Sequence, residues 1–143
     1  MSLAMSIEER EQFLSDLHVG LISIPRSARG PLTVPIWYDY EPGGNLWMIT
    51  GTNSRKGKLL NMGDRVSLAA QNEAAPYKYV SVEGPIVEIK NSSNEELQSM
   101  ASRYLGEEQG KLYADANSSV SEGLSVIVSV KPERWLAVDY SKR

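Results

Sequence analysis

Between residues 32 and 40 the apolar side chains fall on every second position, Leu32, Val34, Ile36, Tyr38 and Tyr40. That period belongs to a strand with one face buried, whereas a helix would scatter the same residues around its circumference. Pro42-Gly43-Gly44-Asn45 follows directly, and such residues reverse a chain because they supply the turn conformations that others resist. Residues 46–50 are therefore predicted to fold back as a partner strand. Upstream, residues 18–25 form a short β-branched run, and Arg26-Ser27-Ala28-Arg29-Gly30 reads as a turn into the same long strand. The pattern predicts three antiparallel strands in meander order.

Helices are announced by their caps. Ser6 and Glu9 have capping-box spacing, and Ile7, Phe13, Leu14 and Leu17 then share one face, which predicts a helix over residues 7–17. Ser93 and Glu96 form a second box, ahead of Leu97, Met100, Ala101, Tyr104 and Leu105 at i, i+3, i+4, i+7 and i+8. Gly106 can end that helix, and residues 107–116 can form another. Asn53 or Ser54 can cap a short helix reaching about residue 62, closed by Gly63-Asp64. Further strands are predicted over residues 65–71, 77–90, 124–130 and 135–140, the second interrupted at Gly84-Pro85 by a bulge or sheet edge. No linker or repeat divides the 143 residues, so residues 1–143 read as one domain. The class is α+β, a mainly antiparallel sheet of six to seven strands closing into a small barrel with short flanking helices.

The formal charge of −3 gives no overall cationic field for nucleic acid or acidic membranes. Cysteine is absent and His18 is the one histidine, which speaks against disulfides, thiol chemistry and a protein-built zinc site. His18 reads as structural. No run approaches the ~20 apolar residues of a membrane span, and residues 1–10 lack a signal pattern. The expectation is a cytoplasmic protein with no membrane or nucleic-acid partner. Met1 to Ala4, ahead of a second methionine at Met5, are left out of the fold reading.

Against that acidic background Arg55, Lys56 and Lys58 crowd into a few residues. With Ser54 as N-cap they fall in the first helical turn, where backbone N–H groups are free and the macrodipole repels cations. Free donors beside cations describe a phosphate site, and Gly57 lets a ligand approach the backbone. The alternative is a solvated helix end paired with surface carboxylates.

The run from Thr50 through Ser54-Arg55-Lys56 to Asp64-Arg65-Val66-Ser67-Leu68 resembles the flavin phosphate motif of the pyridoxamine 5′-phosphate oxidase-like split barrels, and the resemblance extends over residues 7–138. It implies a split β-barrel and a homodimer with cofactor sites between subunits. By the same resemblance Thr50 and Ser54 are hydroxyl donors, and Arg55 and Lys56 are phosphate ligands. Pro35 and Trp37 are ring-side residues, and Tyr79 is a ring neighbour from the other subunit. Lys58 is added from helix geometry. Val34-Pro35-Ile36-Trp37-Tyr38-Asp39-Tyr40 lacks the Arg-x-x-Leu-Leu-Lys cations of pyridoxamine phosphate oxidases proper. The stretches VPIWYDY, TGTNSRKGKLL and YKYVSVEG look more like the deazaflavin-dependent reductases of actinobacterial type.

Those enzymes use coenzyme F-420, whose oligoglutamate tail would suit Lys58, Arg26 and Arg29, although surface charge explains the two arginines as well. The implied function is F-420-dependent hydride transfer to an electron-poor C=C of a small planar molecule. The alternatives are an FMN-binding oxidoreductase of the same family and a non-enzymatic cofactor carrier. Tyr77, Lys78 and Tyr79 can stack on substrate, donate a proton or close a dimer interface. Trp135 and the strand YKYVSV are candidates for that interface. No catalytic residue or metal ligand is assigned.

Overall fold

The computed structural model describes residues 2–121 and 125–143. The order is α1 (Ile7–Ser15), β1 (Gly20–Ile24), β2 (Leu32–Ile36), β3 (Tyr38–Tyr40), β4 (Leu46–Gly51), α2 (Arg55–Leu59), β5 (Arg65–Gln71), β6 (Lys78–Asn91), α3 (Asn94–Leu105), α4 (Glu107–Ser121), β7 (Ser125–Val130) and β8 (Arg134–Asp139). All the strand pairs are antiparallel. They run in the order β2-β1-β5-β6-β7-β4-β3, with β8 also pairing β6. This is the antiparallel α+β barrel expected from the strand pattern, in the split form that the resemblance implied. Among the described residues the strands number eight because the predicted long strand over residues 32–40 divides.

The division falls at Trp37. Ile36 pairs with Gly20 on β1, whereas Tyr38 pairs with Met48 on β4, and Trp37 belongs to neither ladder. One extended segment thus supplies both ends of the strand order and joins them covalently. The predicted three-strand meander is corrected accordingly: β1–β2 and β3–β4 are hairpins at opposite ends, with β5, β6 and β7 between them.

A bend without ladder partners leaves backbone groups to satisfy, and α3 satisfies them. Tyr104 Oη accepts from Tyr38 N at 3.0 Å and lies within donating distance of His18 O at 2.6 Å and Tyr38 O at 2.9 Å. Arg103 Nε donates to Tyr38 O, and its Nη2 donates to Ser15 O and Asp16 O, each at 3.0 Å. The last two bonds help close α1 at Ser15, two residues short of its predicted end. Leu17 is left exposed.

The second crossing point is Gly84. A Cβ there would lie 1.7 Å from Lys131 O, so only glycine lets β6 pass under the β7–β8 connection. Pro85 still faces Arg65 of β5, and a register shift follows between Ile86 and Glu88 as β6 changes partner to β7. The predicted bulge is present, but the strand continues unbroken to Asn91.

Inside the barrel Leu14, Ile22, Tyr38, Met48, Val80 and Val128 are fully buried, each worth ~1.5–3 kcal/mol of apolar burial if aliphatic. The Tyr38 hydroxyl donates to Leu14 O at 2.7 Å, and burial pushes its pKa upward. Both capping boxes form, and Gly106 caps α3 at φ 87°. β1 begins at Gly20, two residues after the predicted start, and α4 runs five residues past its predicted end. Residue 124, the predicted start of a strand, lies outside the described residues. Among the described residues no helix is long and apolar enough to cross a membrane.

Candidate functional site

β4 ends where the basic turn begins. Ser54 caps α2 by accepting from Gly57 N at 3.0 Å, and its own hydroxyl donates to Gly51 O at 2.8 Å. Thr50 is buried, with Oγ1 3.2 Å from Ser54 Oγ. These two hydroxyls hold the turn onto the strand end. Gly57 serves the same contact, since a Cβ there would lie 2.0 Å from Gly51 O. Its role is to admit the strand's backbone, which replaces the expectation that it admits a ligand.

α2 is only five residues long and stops at Leu59, so Lys56 and Lys58 lie in its last turn. One turn sums few peptide dipoles, and the predicted conflict between cations and a helix N-terminus is correspondingly small. What the structure adds is company. Arg26 and Arg29 from the β1–β2 turn meet Arg55, Lys58 and Leu59 around one cleft of about 670 Å³, within the range of small-molecule sites. Among the described residues none of these cations, nor Lys56, forms an ion pair. Arg26 donates from Nε to Gly30 O at 2.9 Å, which braces the turn. Between the two arginines Ala28 holds φ 58°, a left-handed conformation that an L side chain rarely takes.

The other predicted site residues are placed as follows. Pro35 is exposed on the outer face of β2, opposite Leu21. Trp37 lies beneath the α3–α4 pair, stacked on Tyr104 at 5.0 Å and 6° and tilted against Tyr113 at 5.6 Å and 51°. It lines a cavity of about 180 Å³ together with Thr50 and Gly51. Tyr79 stands on the outer face of β6 opposite Gln71 and Val138, and it lines neither space. Arg55, Lys58, Arg26 and Arg29 are thus brought together, while Pro35, Trp37 and Tyr79 stand apart from them.

Trp135, a predicted interface residue, instead turns inward. It packs edge-on to Tyr40 at 6.1 Å, beneath the Arg10 guanidinium at 4.6 Å. The neighbouring Leu136 takes the outer position and is exposed. His18 stacks on Phe13 at 4.3 Å, and burial holds its pKa below the usual imidazole value.

The fold and the basic turn bear on one family. Residues 7–139 match the model of the family described as pyridoxamine 5′-phosphate oxidase. The chain belongs to that family. No curated protein matches it. Solved structures similar to this family member include a conserved hypothetical protein, Rv2991, from Mycobacterium tuberculosis, at TM-score 0.74 and 23% identity, covering 99% of this chain and 89% of that one. An F420 reductase aligns at TM-score 0.63 and 18% identity over 88% and 94% of the two chains. An FAD and heme binding protein from Mycobacterium smegmatis aligns at TM-score 0.67 and 14% identity over 94% and 71%. At these identities the likeness is one of fold. Within the pyridoxamine 5′-phosphate oxidase family, then, this chain is a split barrel whose Ser54-Arg55-Lys56 turn opens onto a cleft with two further arginines.

Proposed function

We propose that the chain is a deazaflavin-dependent oxidoreductase that holds coenzyme F-420 by its phosphate and anionic tail and reduces an electron-poor C=C of a small planar molecule. The observation that carries this reading is the convergence of Arg26, Arg29, Arg55 and Lys58 on one cleft. Two elements distant in sequence contribute cations, and none is neutralised by a carboxylate among the described residues. That donor set fits several linked anionic groups better than a single phosphate, because each added anion finds its own charge-assisted partner. When bound, the reduced cofactor supplies the hydride. The chain's part is to bind and orient. Arg55 can grip a phosphate bidentately, Lys56 and Lys58 add point charge, and the Ser54–Gly57 cap keeps the turn in shape.

The reading includes a homodimer. Across the outer sheet face Pro35, Leu21, Ala69, Ser81 and Leu136 sit directly opposite one another on five successive strands, with no charge among them. Leu21 and Leu136 are well exposed there. Covering such a row is favourable at ~25 cal/mol per Å², and a second copy would bring Tyr79 against its partner. Sedimentation showing a stable monomer at micromolar concentration removes the shared-site part of the reading.

Titration of cofactor-free protein with F-420 and with FMN tests the rest. Tighter F-420 binding supports the reading, and a clear preference for FMN makes the chain an FMN-binding oxidoreductase of the same family. Binding without turnover across a panel of enones and lactones points to a carrier.

A further inference from the structure

We propose that Lys58 is a site of covalent acylation by small acyl phosphates, and that this modification weakens the grip of the basic cleft on anions. The proposal rests on reading the cleft as a phosphate site, whichever cofactor occupies it. Apart from Leu59, the cleft is lined by Arg26, Arg29, Arg55 and Lys58. Guanidiniums hold phosphoryl oxygens as charge-assisted donors, and their permanent, delocalised charge makes them poor nucleophiles. Lys58 brings the one amine among these lining side chains, and an amine attacks a carbonyl carbon. An acyl phosphate carries both groups that such a lining matches, a phosphate for the arginines and an activated carbonyl joined to it through one bridging oxygen.

The reaction balances without a further reagent. Lys58 Nζ, having released its ammonium proton to water, attacks the carbonyl carbon. The bond from that carbon to the bridging oxygen breaks, and inorganic phosphate leaves with the electron pair. An amide N–C bond replaces the C–O bond, the second proton lost by the amine goes to the phosphate, and nothing is oxidised or reduced. The arginines assist by holding the acyl phosphate beside Nζ and by stabilising negative charge as it gathers on the departing phosphate. Lys56 supplies the contrast within the same helix. It lies two residues away, about 200° around α2, and does not line the cleft. Among the described residues neither lysine forms an ion pair, so position relative to the arginines is what separates them. Acylation turns the Lys58 cation into a neutral amide, and anion affinity falls as acyl phosphate accumulates.

Acetyl phosphate is the probe. It is incubated at neutral pH with the cofactor-free full chain, and acetylation is followed lysine by lysine with quantitative peptide mass spectrometry. Lys58 should react about tenfold faster than Lys56 and than the exposed Lys111 and Lys131. Inorganic pyrophosphate should slow Lys58 alone. Acetic anhydride, which carries the same acetyl group and no phosphate, should show no such preference, and Arg29→Ala should reduce it. Lys58→Gln, which mimics the neutral amide, should bind pyrophosphate roughly three- to tenfold more weakly than the parent. The proposal is overturned by equal acetyl phosphate rates at Lys58 and Lys111, by the same Lys58 preference with acetic anhydride, by a preference that survives Arg29→Ala in a folded chain, or by unchanged pyrophosphate affinity in folded Lys58→Gln. The parent rates decide the matter even where a variant fails to fold. Selective labelling of Lys58 with no F-420 or FMN binding would sink the oxidoreductase reading and leave this one standing, whereas cofactor binding without selective labelling would sink this one alone.

Discussion

Arg103 donates to the carbonyls of Ser15, Asp16 and Tyr38 and lies 3.5 Å from Asp39, with its side chain mostly buried. Arg55 and Arg29, at the cleft, are exposed and have no ion-pair partner among the described residues. The same guanidinium is spent internally in one region and held outward in the other. An arginine whose donors are used inside the fold, by three carbonyls and a carboxylate, stabilises a bend, and its removal leaves those carbonyls unpaired. An arginine with idle donors adds little to folding, and its removal is felt when an anion binds.

Arg103→Ala should show the largest effect. Three carbonyls lose a charged donor, and the expected loss is ~2–4 kcal/mol in chemical denaturation, given 1.5–3 kcal/mol for a hydrogen bond to a charged group. An unchanged midpoint would break the contrast between the two regions. Arg55→Ala is the opposite case. Its stability should stay within ~0.5 kcal/mol of the parent, while cofactor affinity falls roughly ten- to a hundredfold, less so at high salt. Calorimetry with and without cofactor separates the two, and equal affinity in Arg55→Ala and Arg29→Ala would make the cleft a plain solvated surface.

A pH series sharpens the comparison from the clamp's side, because His18 sits beside the clamp and its carbonyl faces Tyr104 Oη. Burial depresses the folded pKa of His18 below 6.5, so the unfolded chain takes up its proton first. Stability from this group is complete above pH 6.5 and is lost as pH falls through and below that value. His18→Gln should flatten this part of the profile and leave cofactor affinity at neutral pH as it was. The smallest effect belongs to Ala28→Gly in the cleft turn. Relief of a left-handed alanine, ~1–2 kcal/mol, is largely offset by the greater freedom of glycine in the unfolded chain. A change under ~1 kcal/mol is expected, with slightly weaker cofactor binding as Arg26 and Arg29 lose their fixed spacing.

The sequence made the faces legible but not the neighbours. Apolar alternation from Leu32 to Tyr40 runs through the division at Trp37 without a break in phase. Period two reports which side of a sheet a residue takes and is silent on which strand lies alongside. Both capping boxes and the basic turn could be read directly because they depend on residues within one turn of helix. The meeting of Arg26 and Arg29 with Arg55 depends on barrel curvature and has no local signal. Gly57 shows the limit most clearly. Its need for a missing side chain was visible, but the atom that fills the space is the carbonyl of Gly51, and nothing in the sequence distinguishes that carbonyl from a ligand.

β6 and β7 pair up to Asn91 and Val126, and Ser92 N donates to Ser125 O at 3.2 Å. The helical insertion that begins at Ser92 therefore leaves the sheet at the Ser92–Ser125 contact, where the two hydroxyls also meet. Loop-closure entropy rises only slowly with length, so this junction itself sets little limit on the length of an insertion, but the barrel still needs the Arg103 and Tyr104 bonds at its bend. Any replacement for the α3–α4 pair has to bring its own donors for the Ser15, Asp16 and Tyr38 carbonyls. Swapping that pair would change the roof over Trp37 and the clamp at the bend, while the basic turn on β4 and its arginine neighbours stand outside it.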